Sequence, residues 1–253
     1  SAGGTLSVKA KVSRMVMSGE NLVLASNQYA PVKLSMQPVF NPSNGYVNYV
    51  VPAVFVLILH QTLLIAAGLV GGEQNESRRA GIAGYWQRSA TIDRWSARLV
   101  ILVLTYIPLA LYYFGFSFQF YGISRLASMG NILAMLIPFL AAVIGLGMVM
   151  GELIPRRELA TLIVVLSSLP LVFCAGFIWP TSELPLGLQY LAKFFPSTPA
   201  INGFLRLNQM GASFQQVLPY WGLLWAQAVT YGGLALWLMA RKNTGDISAV
   251  KGS

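Results

Sequence analysis

Apolar residues fall in five long runs separated by polar stretches: roughly Val50–Gly72, Leu99–Tyr121, Asn131–Gly151, Ala160–Trp179 and Leu218–Ala240. A run of about 20 residues, rising ~1.5 Å per residue, covers a hydrocarbon core of ~30 Å. Inside lipid the backbone must satisfy its own hydrogen bonds, so such runs are helical. The predicted fold is all-α, a polytopic membrane helix bundle with five spans. Ahead of the first run the pattern changes. Val32, Leu34 and Met36 alternate with Lys33, Ser35 and Gln37, which reads as a half-exposed strand. Leu6 to Met17 reads as a short amphipathic helix or, from the Leu6-Val8-Ala10-Val12 alternation, as a strand. Asn41-Pro42-Ser43-Asn44-Gly45 is a turn into the first span. Residues 1–49 are too few for a strong independent core.

The stretch between the fourth and fifth runs is long yet carries little charge. Pro180, Pro185, Pro196 and Pro199 cut it into short pieces, and Leu188, Leu191 and Phe195 fall on one helical face. Thr198-Pro199 has the form of an N-cap followed by proline at the first helical position, opening a helix over Ala200–Met210. Short helices of this kind lie at the interface or re-enter the bundle, where protein shields their ends. They form an outer gate, the four prolines being its candidate residues, or a simple amphipathic lid.

Composition supports the membrane reading. The chain is 55% hydrophobic and 10% charged, against about 25% charged in soluble domains, and its mean hydropathy is +0.61. The net charge of +9 raises nucleic acid as a partner, but the basic residues are spread between apolar runs rather than gathered on one face, which argues against it. The single cysteine, Cys174, excludes a disulfide framework and reads as a packing residue.

Charge also sets the expected direction. Arg78, Arg79, Arg88, Arg94 and Arg98 follow the first run, Arg156 and Arg157 the third, and Arg241, Lys242 and Lys251 the fifth. The alternate loops hold Arg125, and Lys193 with Arg206. The positive-inside rule then places the C-terminus, including the tail 243–253, in the cytoplasm and residues 1–49 outside. Aromatic residues from Tyr112 to Tyr121, with Trp179, Tyr46 and Tyr49, gather at the outer ends. Residues 1–49 hold no span to carry them outside, so the chain is expected to be the C-terminal portion of a longer protein. They would then be the end of an extracytoplasmic domain, ahead of a transmembrane domain over 50–242.

Motifs for soluble chemistry are missing. There is no Walker A pattern, dinucleotide loop, nucleophile elbow or zinc-binding His pair. His60, the only histidine, sits mid-span beside Gln61. An ionisable group at that depth is a functional candidate, here for lining a polar cavity, while the plainer reading is hydrogen bonding between helices. Ser167 or Ser168 with His60 would give a Ser–His dyad for an intramembrane enzyme, although no motif supplies the oxyanion site. Gly145, Gly147 and Gly151 read as close-packing positions, with a hinge as the second reading. Gly72–Arg98 mixes Glu73, Glu76, Arg78, Arg79, Arg88, Asp93 and Arg94 with Tyr85, Trp86 and Trp95, and is expected to lie on the membrane surface or dock a partner.

Taken in order, these segments resemble the permease subunits of bacterial type-2 ABC exporters with a large outer domain between their first and second spans. Phe40-Asn41-Pro42 with Tyr46 to Pro52 looks like the junction from that domain into the second span. Ala175 to Pro180, with Leu184-Pro185 and Leu188-Gln189, looks like the fifth-span exit and re-entrant segment. Phe195 to Pro199, then Arg206 and Gly211, looks like the run before the last span. The resemblance implies that the five spans are the second to sixth of six. It also implies a homo- or heterodimer of permeases, a cytoplasmic ATPase on each that binds ATP and Mg while this chain holds no cofactor, and the bacterial inner membrane. A periplasmic membrane-fusion protein is a further possible partner. It places Gly72–Arg98 at the first coupling loop, with Glu73, Glu76, Arg78 and Arg79 as coupling candidates. The family's R-E-x-E-x-G-T pattern is reduced here to Glu73 and Glu76 followed by Arg78-Arg79-Ala80-Gly81. Arg156 and Arg157, after Leu153-Ile154-Pro155, occupy the second cytoplasmic turn. An ATP-independent channel or scaffold remains the other reading beside the intramembrane enzyme.

Overall fold

The computed structural model describes residues 46–82, 84, 89–123, 125–178 and 183–251, with the side chains of 46–49 and 244–251 left aside. The expected strand at 32–37, the helix or strand at 6–17, and Tyr85, Trp86, Arg88, Trp179 and Pro180 lie outside the described residues. What is described is helical: α1 (Tyr46–Arg79), α2 (Thr91–Leu111), α3 (Met129–Leu153), α4 (Glu158–Cys174), α5 (Leu186–Phe194), α6 (Ser197–Gln209) and α7 (Phe214–Lys251). Helix α2 continues through a π-helical stretch, Tyr112–Ser117, and a last α-turn, Phe118–Phe120.

Helix α3 is the centre, packed against α1 on one side and α7 on the other. Its glycines explain why. A Cβ added at Gly147 would lie 2.5 Å from the Ala67 Cβ, and one at Gly145 would lie 2.9 Å from the Gly232 nitrogen. At Gly71 of α1 an added Cβ would lie 2.6 Å from the carbonyl carbon of Gly151. These helices touch backbone to backbone, the contact that small residues permit in a bilayer, where lipid removes most of the hydrophobic drive between helices. Phe139, Leu59, Leu63, Ile132 and Leu140 fill the space on either side.

Among the described residues four helices are long and apolar enough to cross a membrane: Val50–Arg79, Thr91–Phe120, Met129–Leu153 and Phe214–Asn243. The expected fourth span, Ala160–Trp179, is corrected to a helix of 17 residues, Glu158–Cys174. It stops because Gly176 takes φ +88, the left-handed conformation that closes helix C-termini. At ~1.5 Å per residue α4 reaches only about 25 Å. Helix α1 overruns its predicted end at Gly72, and α2 starts eight residues before Leu99. Both ends of the predicted loop Gly72–Arg98 are therefore helical. Glu, Gln and Arg are strong helix formers, and a window of hydropathy does not register a helix that outlasts its apolar part.

Between α4 and α7 the chain makes a hairpin of two short helices, α5 and α6, joined at Phe195-Pro196. The hydrogen bond from Leu126 N to Asn208 O (3.1 Å) ties the end of α6 to the α2–α3 connection. Helix α6 is buried along nearly its whole length and packs on α1, α3 and α7. Phe204 stacks on Phe114 at 4.8 Å and meets Phe139 edge-on at 6.5 Å. The start of α6 differs from the predicted cap: it begins at Ser197, Pro196 precedes it, and the Thr198 hydroxyl caps nothing. Proline at 196 already supplies the fixed φ that opens a helix, so the start moves ahead of Thr198. Leu188 and Leu191 are exposed on α5 rather than packed, and Ala192 is its buried residue. The aromatic end of α2 forms an outward ladder in which Tyr112 stacks on Phe116 (5.6 Å) and Phe116 on Phe120 (5.8 Å).

Candidate functional site

The ends of α1, α3 and α7 meet the starts of α2 and α4 at one end of the bundle. The close approach of Gly71 to Gly151 brings the end of α1 across the last turn of α3. Asn75 is one helical turn beyond Gly71, on the same face, and so sits over that last turn. Its Nδ2 donates to the carbonyls of Gly151 (2.9 Å), Glu152 (3.2 Å) and Ile154 (2.8 Å). The last carbonyls of a helix have no partner within it, and Asn75 supplies one from outside. Lys242 Nζ donates to Asn75 Oδ1 (2.7 Å) and to the Glu152 carbonyl. A cation there also complements the negative end of the α3 dipole.

The Glu152 carboxylate points inward, its side chain only 2% exposed. Oε1 accepts from Arg98 Nη1 at 3.3 Å and Oε2 faces Lys242 Nζ at 3.3 Å. A buried carboxylate is tolerated only when paired, and here two cations from α2 and α7 meet it. Arg94, one turn before Arg98, is buried beside them. Asn243 Nδ2 to Thr91 Oγ1 (3.0 Å) and Trp95 Nε1 to the Gly232 carbonyl (3.0 Å) fasten α2 to α7 again. Four helices thus share one polar knot.

Outside the knot lies a cleft of about 350 Å³, lined by Arg78, Arg79, Lys242, Leu153, Ile154 and Pro155 among others. Arg157 reaches Glu76 at 3.9 Å and Glu158 at 3.5 Å across its rim. Both pairs are largely exposed and worth at most about 1 kcal/mol each, and only the one with Glu76 joins α1 to the α3–α4 turn, without locking it. Glu73 and Arg156 are exposed at the same end. The six coupling candidates named from sequence therefore share one end of the bundle, four of them on α1 rather than in a loop. Asn75 and Glu152 were missed. The signal for Glu152 was a lone acid closing an otherwise apolar run, in a chain with 17 basic residues and 8 acidic ones.

His60 is wholly buried near the middle of α1, and neither ring nitrogen has a hydrogen-bond partner among the described residues. Gln61 is half-buried. Ser167 and Ser168 both donate to the Val164 carbonyl at 2.9 Å. No Ser–His dyad is assembled, because a serine hydroxyl within a helix finds the carbonyl of the preceding turn first. An unpaired buried imidazole contributes nothing to hydrogen bonding. His60→Leu is therefore expected to leave thermal unfolding in detergent unchanged or raise it; a marked loss would show that His60 has a partner.

Of the gate prolines, Pro196 and Pro199 are buried at the hairpin tip, and Pro185 is exposed at the start of α5. Helix α7 holds that tip. Gln227 Nε2 donates to the carbonyls of Lys193 (2.7 Å) and Phe194 (3.2 Å), and the Tyr231 hydroxyl donates to Phe194 (2.5 Å).

A family model described as ABC-2 family transporter protein matches residues 5–237. The chain belongs to the ABC-2 transporter family. No curated protein matches it. Membership makes this chain a multi-pass membrane component of a transporter, and the polar knot closes one end of an ABC-2 helix bundle. It gives no support to the intramembrane enzyme, and among the described residues His60 shares no hydrogen bond with either serine.

Proposed function

We propose that this ABC-2 chain is the permease subunit of an ATP-driven exporter, with its charged end in the cytoplasm of a bacterial inner membrane. There it docks an ABC ATPase, which binds ATP and Mg; this chain carries no cofactor of its own. A second permease completes the translocation path, and residues 1–49 belong to the extracytoplasmic side. The supporting observation is the convergence at the charged end. The surface residues Glu76, Arg79 and Arg157 sit directly over a buried knot that connects α1, α2, α3 and α7, so a force on the rim reaches four helices together. Excess Arg and Lys at this end favours the cytoplasmic side.

Glu76→Ala with Arg79→Ala is expected to reduce transport at least tenfold while the ATPase still hydrolyses ATP, measured on the reconstituted complex in lipid vesicles. Both side chains are at least partly exposed, so the fold should persist. Transport at the unsubstituted rate would remove these residues from coupling.

A further inference from the structure

A second cavity at the charged end, of about 460 Å³, lies between α1 and α2. Along α2 its lining runs from Asp93 and Arg94 through Ala97 and Arg98 to Ile101 and Leu102, and α1 contributes Val70. Two stripes of α2 divide it. Asp93, Ala97 and Ile101 follow one another at helical i, i+4 spacing and so share a face. All three are exposed, Ile101 by 61%. This stripe is the mouth. Arg94 and Arg98 share the next face, are only 4% and 8% exposed, and form the inner wall. The mouth opens along the side of the bundle, where Val100 and Leu104 are also more than half exposed.

The two ends of the cavity differ in character. One end is ionic and adjoins the knot. The other, about 12 Å further along the axis of α2, is closed by Ile101 and Leu102. The inner wall is cationic. Glu152, the carboxylate that meets Arg98, is shared with Lys242, so one acid serves two bases there. Arg94 adds a further buried guanidinium to the same wall. Buried cations in excess of their counter-charge favour an anion close by. The acid of the lining, Asp93, stands at the exposed mouth rather than on the inner wall.

We propose that this cavity holds one anionic phospholipid, its phosphate headgroup beside Arg94 and Arg98 and the start of an acyl chain along Ile101 and Leu102. A crevice open along its side is entered from the bilayer, and a basic pocket between spans suits an anionic headgroup. A soluble anion would match the arginines but leave the apolar half uncovered. The order of charge and hydropathy along α2 is also that of a lipid, with the headgroup at the charged end and the chain toward the middle of the bundle. The inference rests on the membrane-permease reading only for α1 and α2 crossing a bilayer. It is read out without the ATPase, so failure to find an ATPase partner and failure to bind lipid are separate results.

The test uses the purified gene product in a neutral detergent. Native mass spectrometry follows retention of dioleoyl phosphatidylglycerol against dioleoyl phosphatidylcholine, and melting without lipid checks the fold of each variant. The protein is expected to retain the glycerol lipid in preference to the choline lipid. Arg94→Gln should weaken that binding roughly fivefold, the effect of one basic residue on an anionic lipid, and Arg94→Lys should retain it. Ala97→Trp should block the mouth without altering charge. Asp93→Asn should leave binding unchanged or strengthen it, since it removes the acid nearest the headgroup. Asp93 and Ala97 are exposed, so these two variants keep the test open even where loss of buried Arg94 lowers melting. Equal retention of the two lipids, unchanged binding in Ala97→Trp or in a folded Arg94→Gln, or weaker binding in Asp93→Asn overturns the proposal. So does a dimer that Ala97→Trp dissolves while the monomer retains no lipid, which would give this face to a second copy of the chain.

Discussion

Glu152→Gln is expected to destabilise the bundle by about 3–5 kcal/mol, the usual cost of removing one partner from a buried ion pair. Arg98 and Lys242 would lose their shared counter-charge while Arg98 stays buried. Glutamine matches the shape of glutamate, so the loss reports charge rather than a cavity. The measurement is thermal unfolding and the monodisperse yield in detergent. A compensating set, Glu152→Leu with Arg98→Leu and Lys242→Met, should recover much of the stability, since apolar replacement of an entire buried ionic group is often neutral or better. If Glu152→Gln unfolds like the parent, the knot does not hold the charged end together.

Gly71→Val is expected to disrupt the α1–α3 contact more than any surface change. Its Cβ would fall 2.6 Å from the Gly151 carbonyl carbon and 2.8 Å from its Cα. Both obstacles are backbone, so the helices must separate, and overpacking commonly costs about 1–3 kcal/mol or more. Separation would also draw Asn75 off the end of α3, so the damage extends into the knot. Gly222→Ala is the control, since nothing lies within 4 Å of its added Cβ. It should be neutral or stabilising by up to ~1 kcal/mol, as alanine favours helix over glycine. Comparable melting of the two variants would contradict the close packing.

The helical membrane fold was legible because apolar runs of this length have few other solutions. The glycines of α3 were also legible as packing positions, and the structure shows their partners in Ala67, Gly71 and Gly232. Helix ends were not. Hydropathy fades at Gly72, whereas helix propensity carries α1 on to Arg79, so the hydropathy pattern alone makes Glu73 to Arg79 look like loop. The fourth span was overestimated because Ala175 to Ile178 are apolar and the local φ of Gly176 is not visible in a hydropathy pattern. The knot escaped for a different reason: Asn75, Arg98, Glu152 and Lys242 are far apart in the chain, and only the helix crossings bring them together. His60 drew attention as the lone histidine, yet no described side chain answers it.

The most direct test of the central claim is co-purification of the gene product with the ABC ATPases of its host cell, followed by ATP hydrolysis in lipid vesicles. A stable complex whose hydrolysis rate depends on the permease, and falls out of step with transport in the Glu76→Ala, Arg79→Ala variant, is the predicted result. A chain that assembles with no ATPase, or an ATPase indifferent to its presence, would contradict the exporter reading and leave an ATP-independent channel or scaffold as the account to pursue.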